Sequence, residues 1–254
     1  MEKSYCKKFE KLSKTTKVSS VLKFSIVACA FAPQLARATV GYFFTKNSLM
    51  SDANIQAYTD TVPKFNTVQT IFTVDFNPLT ANHVRDLKKI REALQEFSKK
   101  ATEGIVLFGY SATSKFVAKL ASENFNIKAL FLIDPVDGTP PFSSKQNFPI
   151  FLDENTQINV PTSIVQSEFG TQPWMLGLPC VPEGLGAEFF AQHVNPNLLK
   201  FVKIPGSGHI DFMSPPVSKM VEATCKAGTA VKTQVRSVTQ TLFKQLIAPD
   251  FMTE

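Results

Sequence analysis

Metal ligands are scarce in this chain. Three histidines and four cysteines in 254 residues show no close metal-ligand spacing, so no structural zinc or other metal site is expected. No internal repeat or low-complexity block is present, which removes solenoid and array architectures. Nor is there a net charge outside one short segment. The formal charge of +6 invites a nucleic-acid partner, yet residues 1–38 hold eight basic residues against two acidic ones. The remaining chain is therefore neutral, and the electrostatic case for nucleic acid loses its support.

What is there begins with that leader. A lysine-rich start precedes an apolar stretch from Phe24 to Ala32 and then Ala36-Arg37-Ala38, a small-x-small pattern of the kind cleaved from export signals. The stretch falls far below the roughly 20 residues of a spanning helix. The expectation is a signal-like leader over 1–38, a mature start near Thr39 and a secreted or periplasmic protein. The alternatives are organelle targeting or anchoring through an uncleaved leader. Cys6 and Cys29 leave with the leader, which strands Cys180 and Cys225 as a disulfide pair in an oxidising compartment. The length, with 44% hydrophobic residues, suits one core, so residues 39–254 read as a single domain.

Short apolar runs alternate with helical periodicities, as in an α/β domain. Val40 to Thr45, Val68 to Val74, Ile105 to Phe108, Ala129 to Ile133, Pro161 to Gln166 and Leu199 to Ile204 read as strands. A helix capped at Ser51 is expected between the first two. From Asn82, the residues Val84, Leu87, Ile90, Leu94 and Phe97 form one stripe, and Val231, Val235, Val238, Leu242 and Leu246 form another. These pieces assemble into a mostly parallel sheet with helices on both faces and functional groups at the carboxyl ends of strands.

Three residues fall at such ends in the order Ser, Asp, His. A serine hydroxyl is a weak nucleophile until an imidazole takes its proton, and the imidazole needs a carboxylate to fix its tautomer. Ser111 follows a strand and opens a helix in the stretch "LFGYSATS", Asp134 follows the next strand, and His209 lies in "PGSGHIDF". This is the chain order of α/β hydrolases. Asp137 is an alternative acid, although the glycine after it suits a carboxylate that serves its own turn. Asp211 is expected to brace the histidine loop. His83 and His193, set among polar residues, are expected at the surface or as caps.

The strings "LFGYSATSKFVAKL", "LFLIDPVDGT", "LPCVPEG", "AEFF", "GSGHIDFM" and "ATCKAGT" together resemble the chlorophyllase family of α/β-hydrolase serine esterases, which is also similar to the platelet-activating-factor acetylhydrolases. The resemblance spans about residues 40–247. It implies an α/β-hydrolase fold trimmed at its N-terminus, an ester bond as target, and Ser111, Asp134 and His209 as nucleophile, acid and base. Two departures stand out. Where the family reads Gly-His-Ser-Arg-Gly-Gly, this chain has Gly109-Tyr110-Ser111-Ala112-Thr113-Ser114, and the β-branched Thr113 is expected to crowd the turn. One oxyanion donor is expected from the amide of Ala112, the other from the loop after the first strand. There the family's His-Gly is replaced by Thr45, Lys46 and Asn47, of which Thr45 is the candidate donor.

Phe142, Phe148, Phe151, Phe169, Trp174, Met175 and Leu176 lie between acid and base, where they either line a groove for an apolar chain or pack a loop onto the core. The expected function is a cofactor-free serine ester hydrolase for a small apolar ester, with contact to a membrane or lipid surface as a further expectation. The alternative is a binding protein on the same fold that has lost catalysis.

Overall fold

The computed structural model describes residues 39–77, 79–123, 125–138, 144–173, 175 and 177–248. The expected leader with Cys6 and Cys29, and Phe142, Trp174 and Leu176, lie outside these described residues. Six strands alternate with helices: β1 (Val40–Asn47), α1 (Ala53–Thr59), β2 (Thr67–Val74), α2 (His83–Ser98), β3 (Gly104–Tyr110), α3 (Ser114–Ala121), β4 (Ile127–Ile133), β5 (Thr162–Ser167), α4 (Ala187–Gln192), β6 (Leu199–Ile204), α5 (Lys219–Thr224) and α6 (Lys232–Leu246). Every pairing is parallel, in the order β2-β1-β3-β4-β5-β6.

The sheet follows from sequence through period-two alternation. Phe43, Ile105, Leu107, Leu130, Leu132 and Ile164 join one apolar cluster with α2, α3 and α4. Their neighbours Tyr42, Phe44, Val106, Phe108, Phe131, Ile133 and Val165 join another with α1 and α6. Strands buried on both faces read as continuous apolar runs, as Ile105 to Phe108 in β3 and Ala129 to Ile133 in β4 do. The strand order reverses between β1 and β3, and in open α/β sheets ligands bind at the carboxyl ends beside such a reversal.

Helix faces depart in detail from the expected stripes. In α2 the buried residues are His83, Asp86, Ile90, Leu94 and Phe97, whereas Val84 is exposed. In α6 they are Val235, Thr239, Leu242, Phe243 and Leu246, and Val231 and Val238 point outward. Apolar side chains alone fix a stripe only to within a turn, because a buried histidine or threonine can complete it. The expected cap at Ser51 is also corrected. The first helix starts after Asp52, and Ser51 instead donates its amide and hydroxyl to the Asn54 side chain at 2.8 and 3.1 Å. Among the described residues no helix is long and apolar enough to cross a membrane.

His83 is not a surface residue. It is fully buried, with its ring 4.1 Å from that of Phe148 and 5.0 Å from that of Phe116, and neither ring nitrogen has a partner among the described residues. Burial first, and the charge of Lys115 second, push its pKa down to about 3. The folded chain thus refuses a proton that the unfolded chain accepts below about pH 6.5. That contribution to stability is complete above the unfolded value and is lost as the pH falls toward 3. Each unit is worth about 1.4 kcal/mol. Replacing His83 with leucine is therefore expected to flatten the loss of stability between roughly pH 6.5 and 4.5 by about 2 kcal/mol, read from urea unfolding at both pH values.

Candidate active site

The strand β3 ends at Tyr110 and the chain turns at once into a short 3₁₀ segment, Ser111–Thr113, that leads into α3. Ser111 holds φ at +55°, a left-handed conformation that a residue with a Cβ adopts at a cost of about 1–3 kcal/mol. The surroundings impose it. At Gly109 a Cβ would stand 2.6 Å from Val117 Cγ2 and 2.7 Å from the Ser114 Cα, so only glycine lets strand and helix approach this closely. The Val136 amide donates to the Ser111 carbonyl at 3.1 Å, which joins the turn to the loop after β4.

Thr113, expected to crowd this turn, braces it. The threonine is buried, and its hydroxyl lies 2.9 Å from the Tyr110 carbonyl, accepts from the Tyr110 amide at 3.2 Å and meets the Thr45 hydroxyl at 3.1 Å. Thr45 is correspondingly not a loop residue. Strand β1 continues through Asn47, and the Thr45 hydroxyl reaches the Phe108 carbonyl at 3.0 Å, so its side chain supports the turn. Lys46 and Asn47 are buried too: Lys46 Nζ donates to the Met50 carbonyl at 2.7 Å, and Asn47 Oδ1 accepts from the Leu49 amide at 3.0 Å. Val40 and Ser48 send their amides to the β2 side. Alternation along the unbroken β1 register therefore points the amides of Thr45 and Asn47 toward β3.

Residues from three strand ends converge on one line. Ser111 Oγ lies 2.9 Å from His209 Nε2, and His209 Nδ1 lies 2.6 Å from Asp134 Oδ2. An ionised carboxylate can only accept, which places the proton on Nδ1 and leaves Nε2 free to accept from the serine hydroxyl. Asp134 and His209 are buried, and Ser111 is 9% exposed. Asp134 too has positive φ, +42°, and its two oxygens take the Ser167 amide at 2.8 Å and the Ser167 hydroxyl at 2.6 Å. Ser167, at the end of β5, is absent from the sequence reading because a serine ending a strand carries no signal of its own.

The competing acids have other work. Asp137 accepts the amides of Phe151 and Leu152 at 2.9–3.1 Å, and the fully buried Lys115 opposite donates to the carbonyls of Pro149 and Gly138 at 2.8 and 3.3 Å. Burial raises the Asp137 pKa and lowers that of Lys115 to about 8. This pair fastens Gly138 and the 149–152 segment to the end of β4 and to α3. Asp211 braces the histidine loop as expected, taking the amides of Gly208 and Gly228 at 2.7 Å each. His193 is half-buried at the C-cap of α4, where its Nδ1 lies 3.1 Å from the Thr156 carbonyl.

Cys180 and Cys225 form a disulfide, joining the loop after β5 to the end of α5. Both sulfurs and a His209 ring nitrogen lie within 4.8 Å of one another, but two bonded sulfurs are not thiolate ligands, so the bridge acts as a buttress beside the imidazole. Lys226 reinforces it, donating to Gln172 Oε1 and standing 4.7 Å above the Phe169 ring. Of the aromatic residues expected along a groove, Phe148 is buried against His83 and Phe151 packs on Phe116, so these two serve the core. Met175 is exposed.

The chlorophyllase family profile matches residues 70–248, well over half of the sequence. The chain belongs to the chlorophyllase family. No curated protein matches this family member in sequence. Among solved structures, Est1E from Butyrivibrio proteoclasticus is similar with a TM-score of 0.54 at 13% identity, over 84% of this chain and 90% of that one. A carboxylesterase from Lactobacillus plantarum, described there as putative, gives 0.52 at 11% identity over 83% and 87%. The esterase domain of a Rhodothermus marinus protein gives 0.50 at 13% over 84% and 88%. At these identities the likeness establishes the α/β-hydrolase fold. Within that chlorophyllase-family frame, restoring the family glycine by Thr113→Gly is expected to remove the brace. The loss should be about 1–3 kcal/mol in chemical unfolding, and a variant as stable as the parent would show the hydroxyl to be idle.

Proposed function

We propose that this chlorophyllase-family chain is a serine-dependent carboxylic ester hydrolase that works through an acyl-enzyme on a small apolar ester. The observation that carries the reading is the continuous line from Ser111 Oγ through His209 to Asp134, at 2.9 and 2.6 Å. Ser111 Oγ attacks the ester carbonyl while His209 Nε2 takes its proton, and Asp134 stabilises the imidazolium so formed. His209 then returns that proton to the departing alcohol. A water, deprotonated by the same imidazole, releases the acid and restores the serine.

For the oxyanion, the amide of Ala112 is one donor. We assign the second to the backbone of Asn47 in preference to Thr45, since pairing of β1 with β3 ends at Phe44 and Phe108 and Asn47 lies nearer the carboxyl ends. An apolar substrate is supported by the family, whose name points to chlorophyll, and by exposed Ile150, Met175 and Leu178 in the loops that follow the acid. The same residues support contact with a lipid surface. The disulfide supports an oxidising compartment, in keeping with export.

Short and long p-nitrophenyl esters offered to the mature chain and to Ser111→Ala test the reading. The variant should lose on the order of 10³-fold or more in kcat, and the parent should lose activity to a serine-directed phosphonate. Equal rates for the two proteins would instead make the chain a binding protein on this fold.

A further inference from the structure

The side chain of Tyr110 turns away from the nucleophile beside it and meets the base. Its hydroxyl donates to the His209 main-chain carbonyl at 2.5 Å, and its ring lies 5.2 Å from the imidazole at an interplanar angle of 32°. The residue is buried at 3% exposure, where a phenol needs a partner. Its own backbone is held on both sides, since Thr113 Oγ1 bonds the Tyr110 amide and carbonyl. A rigid path therefore runs from the Ser111 turn, through one aromatic ring, to the peptide that carries the imidazole.

We propose that Tyr110 is a positioning residue, which fixes the His209 ring relative to Ser111 by hydrogen-bonding the histidine's main-chain carbonyl and flanking its ring. The inference rests on the serine esterase reading. His209 opens the short 3₁₀ turn His209–Phe212 after Gly208, so its backbone is not restrained by a sheet. Asp134 holds one edge of the ring, the disulfide stands beside it, and Tyr110 anchors the peptide from within the core. Burial first, and the Asp134 charge second, keep the phenol far above its ordinary pKa, so the hydroxyl remains a donor wherever the enzyme works.

The test is Tyr110→Phe in the full chain, which removes one oxygen and keeps the ring. Steady-state hydrolysis of p-nitrophenyl butyrate should show kcat lower by on the order of tenfold with KM unchanged, the signature of a misplaced catalytic group. The far-downfield proton resonance of the His209–Asp134 hydrogen bond should shift or broaden. Unchanged kcat and an unchanged resonance overturn the proposal, as does a rise in KM alone. A parent protein without esterase activity refutes the serine reading, and the resonance then still decides the role of Tyr110. If the phenylalanine variant does not fold, 3-fluorotyrosine at position 110 replaces it. Fluorination must then move the downfield resonance, and an unmoved one refutes the positioning role.

Discussion

The left-handed backbone at Ser111 is the constraint on which the site depends. A residue with a Cβ relaxes out of that conformation unless its neighbours forbid it, and here they act from three directions. Gly109 lets α3 sit against β3, Thr113 grips the strand end, and the Val136 amide pulls the serine carbonyl toward the loop that bears the acid. The strain lifts Oγ out of the sheet to where His209 can reach it. Ser111 and Asp134 are thus positioned by one connected set of bonds, with Asp134 held in a second left-handed turn by Ser167.

A second tier of buried polar contacts keeps the surrounding loops in place. Lys115 donates to the Gly138 and Pro149 carbonyls, and Asp137 takes the Phe151 and Leu152 amides. A buried ammonium is tolerated only with such partners, and burial lowers its pKa to about 8. On the far side, Asp211 bonds two glycine amides and so pins the histidine loop to the strap that follows α5.

The fold was legible because its signals are periodic. The runs Ile105 to Phe108 in β3 and Ala129 to Ile133 in β4 are apolar without interruption, which marks these strands as central, and Ser111, Asp134 and His209 follow β3, β4 and β6 in turn. What was less legible depends on contacts between distant segments. Thr113 reads as a misfit in a glycine-rich motif, and only the pairing of β1 with β3 brings Thr45 close enough to give its hydroxyl a purpose. His83 looks like a surface residue within "TANHVRD", but Phe148 and Phe116 arrive from later elements to bury it. Tyr110 and Ser167 are ordinary strand ends until His209 and Asp134 are placed beside them.

The partners in the central line stand far apart along the chain: 98 residues separate serine from histidine and 75 separate acid from histidine. Synthesis runs in one direction, so a growing polypeptide carries Ser111 and Asp134 for some time without His209. During that interval Ser111 has no imidazole beside it. The line closes only when the segment after β6 is in place, so the arrangement of the three side chains belongs to the whole sheet and not to any part of it.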